Sequence, residues 1–232
     1  MKSFGRMIAT AVGTFVVGAL WASLAGATVI TTPGLTITQG DKVFSNFGCS
    51  IVPDPNTTAN PLNCGQIEVS GIGDGSLGNE FGVQFQANLL AAGDFPSEDI
   101  LLTYLVTVID PTKLLSDVHM DFVAGIIGQA LVAATESVLA GNCEGTEVAN
   151  ITVSKPIGSA SANADITPPQ SSACVIKDVS LTAFNSESAA LVSIIRQRFS
   201  QTGTNVPEPA TLAVLGVGLL GLGVMRRQRR ST

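Results

Sequence analysis

Between residues 28 and 200 apolar positions recur at every second residue in short runs, the period of a half-buried strand. In 116–124, Val118, Met120, Phe122 and Ala124 fall on one face and Asp117, His119 and Asp121 on the other. Phe81, Val83 and Phe85 alternate with Gly82 and Gln84. Leu191, Ser193 and Ile195 oppose Val192, Ile194 and Arg196, although 191–199 also fits a helical period. The pattern predicts strands over 28–32, 35–38, 42–49, 66–70, 80–87, 101–110, 116–124, 130–139, 147–155, 173–184 and 189–199. Turn signals separate them: Gln39-Gly40-Asp41, the Gly-rich 71–78, Ala92-Gly93-Asp94, Asp110-Pro111, Gly141-Asn142 and Pro168-Pro169. Such short, regularly spaced runs, rich in Val, Ile and Thr, predict an all-β fold: an antiparallel two-sheet sandwich, jelly-roll-like.

The two ends break the pattern. Residues 1–27 read as a secretory signal helix: Lys2 and Arg6, an apolar stretch from Met7 to about Leu20, then Ala25-Gly26-Ala27 as a small-x-small site cleaved after Ala27. At the other end, Val206-Pro207-Glu208-Pro209 precedes an uncharged apolar stretch, ATLAVLGVGLLGLGVM, and then Arg226, Arg227, Arg229 and Arg230. As a helix the 16 residues 210–225 rise roughly 24 Å, a marginal span of a hydrocarbon core about 30 Å thick. The arginines belong on the cytoplasmic side of such a transmembrane helix, which places the body outside. These residues divide the chain into a signal segment (1–27), an exported body (28–200), a short tether (201–205) and an anchor (206–230).

The order of motif, Gly/Leu-rich membrane segment and Arg-rich terminus resembles the PEP-CTERM sorting signal, with Val206, Pro207, Glu208 and Pro209 matching its motif residue by residue. The resemblance covers only about the last 27 residues. It implies processing by an exosortase, a membrane cysteine peptidase or transpeptidase, for which Glu208 is a recognition residue. It also implies a Gram-negative-type envelope, transient inner-membrane anchoring with the body on the periplasmic side, and association with exopolysaccharide or biofilm matrix.

Charge narrows the partners. The chain carries 12 basic and 18 acidic residues, but six of the basic ones lie in the end segments. Residues 28–206 keep six against 17 acids, a formal charge of −11. Such a surface repels anionic polymers and makes nucleic acid a poor partner. At 45% hydrophobic and 13% charged, the chain has too much core-forming material for a disordered protein.

Cys49, Cys64, Cys143 and Cys174 all lie in the body, and an even count in an exported chain reads as disulfides. Three pairings are possible. Cys49–Cys64 and Cys143–Cys174 are favoured, because each closes a loop rich in turn-forming residues.

Candidate chemistry is sparse. Asp117, His119 and Asp121 share a strand face and could begin a divalent-metal site, but such a site needs three or four converging ligands, and a solvated strand face explains the pattern better. His119 is the only histidine, and no GxSxG elbow accompanies it, which argues against a secreted hydrolase. Segment 71–78 (GIGDGSLG, with Asp74) and the acids Asp94, Glu98 and Asp99 could hold Ca²⁺ but match no EF-hand spacing. Asn56-Thr57-Thr58 and Asn150-Ile151-Thr152 match glycosylation sequons that an exported bacterial chain has no need to use. Tyr104 is the only tyrosine, and the one tryptophan, Trp21, lies in the signal segment, which leaves little for stacking on sugars. No cofactor, metal or catalytic residue is expected. The expected role is that of a non-enzymatic cell-surface or matrix protein, with a glycan- or calcium-binding adhesin as the alternative.

Overall fold

In a computed structural model, which describes residues 26–53, 63–73, 80–92 and 97–203, alternation becomes two packed faces. The described strands are β1 (Thr28–Val29), β2 (Ile37–Gln39), β3 (Lys42–Pro53), β4 (Glu68–Ile72), β5 (Phe81–Ala92), β6 (Ser97–Val108), β7 (Lys113–Ile127), β8 (Ala130–Ala140), β9 (Glu147–Lys155), β10 (Ser161–Gln170), β11 (Ser172–Ala183) and β12 (Ala189–Gly203). They pair in two six-stranded sheets, ordered β1-β4-β5-β12-β7-β10 and β2-β3-β6-β11-β8-β9. From β5 to β12 this is jelly-roll order, and every pairing is antiparallel.

The expected signal helix and transmembrane helix fall on residues outside this described set, apart from Gly26 and Ala27, which are exposed. Among the described residues no helix is long and apolar enough to cross a membrane.

Four details depart from the sequence reading. The first two strands are shorter than expected, because Thr32 N–H donates to Val29 O and Leu35 N–H to Thr32 O around Gly34, at φ +69°. Residues 161–170 form a strand where Pro168-Pro169 had suggested a loop. β10 is the edge of its sheet, pairs only with β7, and shifts register between Asp165 and Gln170, so the prolines interrupt no ladder. Residues 191–199 are strand rather than helix, but a bulge at Ser193 places Val192 and Ile195 on the same, inner face, which strict alternation forbids. Gln201, Thr202 and Gly203, expected in the tether, continue β12 against Leu115, Leu114 and Lys113.

The core lies between the sheets. Tyr104 is fully buried, its ring 6.1 Å from Phe44 and 5.7 Å from Phe85, and Phe199 stands 6.2 Å from Phe44. Val118, Met120 and Phe122 point inward as the alternation requires. The turn signal at Gln39-Gly40-Asp41 becomes the β2–β3 hairpin, with Gly40 at φ +60° and packed so tightly that a Cβ there would enter the Phe81 ring.

Both favoured disulfides are present. Cys49 of β3 joins Cys64, at the start of a one-turn 3-10 helix before β4, and so ties the second sheet to the first. Cys143 in the β8–β9 turn joins Cys174 of β11 within the second sheet. Replacing both Cys49 and Cys64 by Ser is expected to lower the unfolding free energy by about 3 kcal/mol, through the loop of 15 residues that opens. Urea denaturation of the purified body reads this directly, and an unchanged midpoint would mean that the bridge does not constrain the unfolded chain.

Candidate functional site

On the outer face of the first sheet, antiparallel register sets polar side chains in rows. Asn163 of β10, His119 of β7 and Arg198 of β12 lie side by side, as do Ser161, Asp121, Arg196 and, on β5, Gln84. Asp121 is the centre of the array. Its Oδ1 accepts a hydrogen bond from Arg196 Nη1 at 2.9 Å, and its Oδ2 one from Arg198 Nη1 at 3.1 Å. Arg196 Nε also donates to Gln84 Oε1 at 3.2 Å. His119 Nε2 lies 2.9 Å from Asp117 Oδ1 and 3.7 Å from Glu80 Oε1.

This geometry uses up the ligands that a metal would need. Both oxygens of Asp121 are held by guanidinium groups, and His119 Nε2 faces the carboxylates of Asp117 and Glu80. Among the described residues no group of three His, Cys, Asp or Glu is placed to hold a metal. What the array offers is a set of planar donors and acceptors beside a recess of about 170 Å³ lined by His119, Asp121, Ser161, Asn163 and Arg198. Further along the same face the surface becomes apolar: Leu90, Val123, Ile127 and Leu191 are exposed there. A second recess, of about 200 Å³, lies under residues 30–36 and beside Asn46, whose φ of +53° marks the bulge in β3.

The other candidate residues do not gather. Glu98 and Asp99 open β6, while Asp94, Asp74 and Asn56 lie outside the described residues. Asn150 on edge strand β9 donates to Ser137 Oγ at 3.1 Å. Asp178 of β11 approaches Asp99 across the β6–β11 ladder; burial first, then the Asp99 charge, holds its carboxyl above the usual range.

One cluster escaped the sequence reading altogether. Lys177, Glu136 and Gln197 are fully buried between the sheets. Lys177 Nζ contacts Glu136 Oε2, donates to Gln197 Oε1 at 2.7 Å and lies 2.9 Å from Met120 Sδ. Gln197 Nε2 donates to His119 O at 2.9 Å. Burial lowers the pKa of Lys177 and raises that of Glu136, against the attraction between them. The available signal was phase: Glu136 shares its strand face with Ala134 and Val138, and Lys177 with Val175 and Val179.

β12 runs out of this core directly into residues 205–230, which match the family model described as the PEP-CTERM protein-sorting motif. The C-terminal segment is a PEP-CTERM sorting signal. PEP-CTERM motifs are exosortase substrates and imply export to the cell envelope or surface. Within the PEP-CTERM segment, Val206, Pro207, Glu208 and Pro209 and the basic Arg226, Arg227, Arg229 and Arg230 lie outside the described residues, as does Ala25 at the other end. No curated protein matches the chain. Similar solved structures include TmCBM61 in complex with β-1,4-galactotriose, at 12% identity over 66% of this chain and 88% of that one, with a TM-score of 0.31. Endoglucanase 3 of Trichoderma harzianum, from family GH12, has 12% identity over 67% and 98%, with a TM-score of 0.25. A structure of CBM4 has 8% identity over 66% and 95%, with a TM-score of 0.23.

The carboxyl pair on the second sheet gives a pH-dependent expectation. The folded state holds the Asp178 proton more tightly than the unfolded chain does, so this group's contribution to stability is lost as pH rises through the carboxylate range. Asp99→Asn is therefore expected to raise stability at neutral pH by less than about 1 kcal/mol, with the gain disappearing near pH 4. Denaturant titrations of both proteins at the two pH values measure it; a gain that persists at low pH would assign the effect to something other than charge.

Proposed function

We propose that this chain is an exported, non-enzymatic cell-surface or matrix protein: a disulfide-stapled sandwich delivered by a signal peptide at 1–27, held in the inner membrane by its tail, and then processed by an exosortase-like enzyme. The observation that carries this reading is the sorting motif at 205–230, joined to the last strand of a body with two disulfides. Ala27 is exposed just before β1, which suits cleavage there and a mature chain beginning at Thr28. The apolar stretch of 206–230 serves as a temporary transmembrane helix, with Arg226, Arg227, Arg229 and Arg230 on the cytoplasmic side and the body on the periplasmic side. The final place is the cell surface or the exopolysaccharide matrix. A non-enzymatic role is favoured by the surroundings of His119, whose Nε2 faces Asp117 and Glu80 rather than a hydroxyl it could activate.

A second reading, glycan binding by an adhesin module, is favoured by one feature. The recess beside Arg198, Asp121 and Asn163 presents fixed donors and acceptors of the kind that hydroxyl-rich ligands require. Partly exposed polar contacts of this sort give weak affinity, so a soluble-oligosaccharide panel is expected to show millimolar binding that Asn163→Ala lowers several-fold. Calorimetry that is silent across the panel would remove this reading and leave the first untouched.

For the sorting reading, replacing Pro207, Glu208 and Pro209 together by Ala is expected to leave protein of full C-terminal length in the membrane fraction, whereas the natural chain is recovered shortened. Cell fractionation with intact-mass measurement tests both cuts at once. A variant released and trimmed like the natural chain would overturn the proposal.

A further inference from the structure

Lys177 projects from β11 of the second sheet, Gln197 from β12 of the first, and Glu136 lies opposite Lys177 on β8. All three side chains are closed off from solvent. The amine reaches across the sandwich and donates to Gln197 Oε1 at 2.7 Å while also contacting Glu136 Oε2. The carboxamide cannot face the other way, because its Nε2 donates at 2.9 Å to the His119 carbonyl, which only accepts. The carbonyl end of an amide is thus held against a primary amine, with a carboxyl group on the same nitrogen.

We propose that Lys177 and Gln197 are the site of an autocatalytic intramolecular isopeptide bond, with Glu136 as the proton carrier. Lys177 Nζ attacks Gln197 Cδ, the Nζ–Cδ bond forms, and the Cδ–Nε2 bond breaks. Glu136 enters as the neutral acid: it gives its proton to Nε2, which leaves as ammonia, and takes one in return from the attacking nitrogen, so the acid is regenerated. One amide replaces another, so no oxidant, reductant or activated co-reactant is needed.

Three features of the site favour the reaction. Attack requires a neutral amine, and burial drives Lys177 toward that form while it drives Glu136 toward the acid. Among the described residues the second Glu136 oxygen, Oε1, has no hydrogen-bond partner, which suits a carboxylic acid better than a buried carboxylate. Amide aminolysis is slow in water, but two groups fixed in contact react as if at an effective concentration on the order of 10⁵ M or more. Exclusion of water also suppresses the competing hydrolysis of Gln197. The product joins β11 to β12, and hence one sheet to the other, across 20 positions of sequence.

The test is the mass of the native exported protein after full reduction of its disulfides. The expected value is about 17 Da below that of the unmodified chain with the same termini, the loss of one ammonia. A proteolytic digest is expected to contain a branched peptide in which the Lys177 segment carries Gln197, with no tryptic cut after Lys177. Lys177→Arg and Glu136→Gln are each expected to abolish both signatures. Should either variant fail to fold, the native digest decides alone. Separate linear peptides with unmodified Lys177 and Gln197 would overturn the proposal, and so would Gln197 converted to Glu, about 1 Da heavier, because that product records hydrolysis instead of cross-linking.

Discussion

A long polar side chain in the middle of an apolar core constrains everything around it. Lys177 can be kept there only if partners reach it from more than one direction, because a lone buried amine costs several kcal/mol. Its partners come from β8, β12 and β7, so the register of three strands in two sheets is fixed by one nitrogen atom. A slip of one residue in β12 would bring Arg196 or Arg198 to the position of Gln197 and turn a satisfied amide into a buried guanidinium. The same slip would pull those arginines off Asp121, so the inner network and the outer array enforce the same alignment from opposite faces of one strand.

Much of this architecture was legible in the sequence, for identifiable reasons. Period-2 alternation located most strands, and the inward placement of Val118, Met120 and Phe122 against Asp117, His119 and Asp121 followed from it directly. The disulfides were legible because each closes a local loop. The tail was legible because a sorting signal is recognised as sequence, without needing the fold. β10 was not legible, because Pro168-Pro169 is incompatible with a central strand and nothing local reveals that residues 161–170 lie at an edge. Nor was the bulge at Ser193, where the ladders to β5 and to β7 both shift register.

The buried cluster is the instructive miss. Glu136 and Lys177 sit on apolar phases of their strands, and the alternation alone would have turned them inward; composition, which places charge outside, argued the other way. Period outranked polarity here because the two side chains could satisfy one another across adjacent strands, a pairing that appears only once β8 and β11 are neighbours. The outer face was half legible for a similar reason. The β7 residues were visible as a set, but their purpose changed when Arg196 and Arg198 arrived from a strand more than seventy positions away.

The last strand has a mechanical consequence. β12 is an interior strand of its sheet, laddered along most of its length to β5 on one side and to β7 on the other, and it leads straight into the sorting segment. Tension applied through the C-terminus therefore runs along the strand axis and loads both ladders in shear, so that many hydrogen bonds must rupture together instead of opening one by one like a zip. A body pulled from this end resists load where a terminal edge strand would peel.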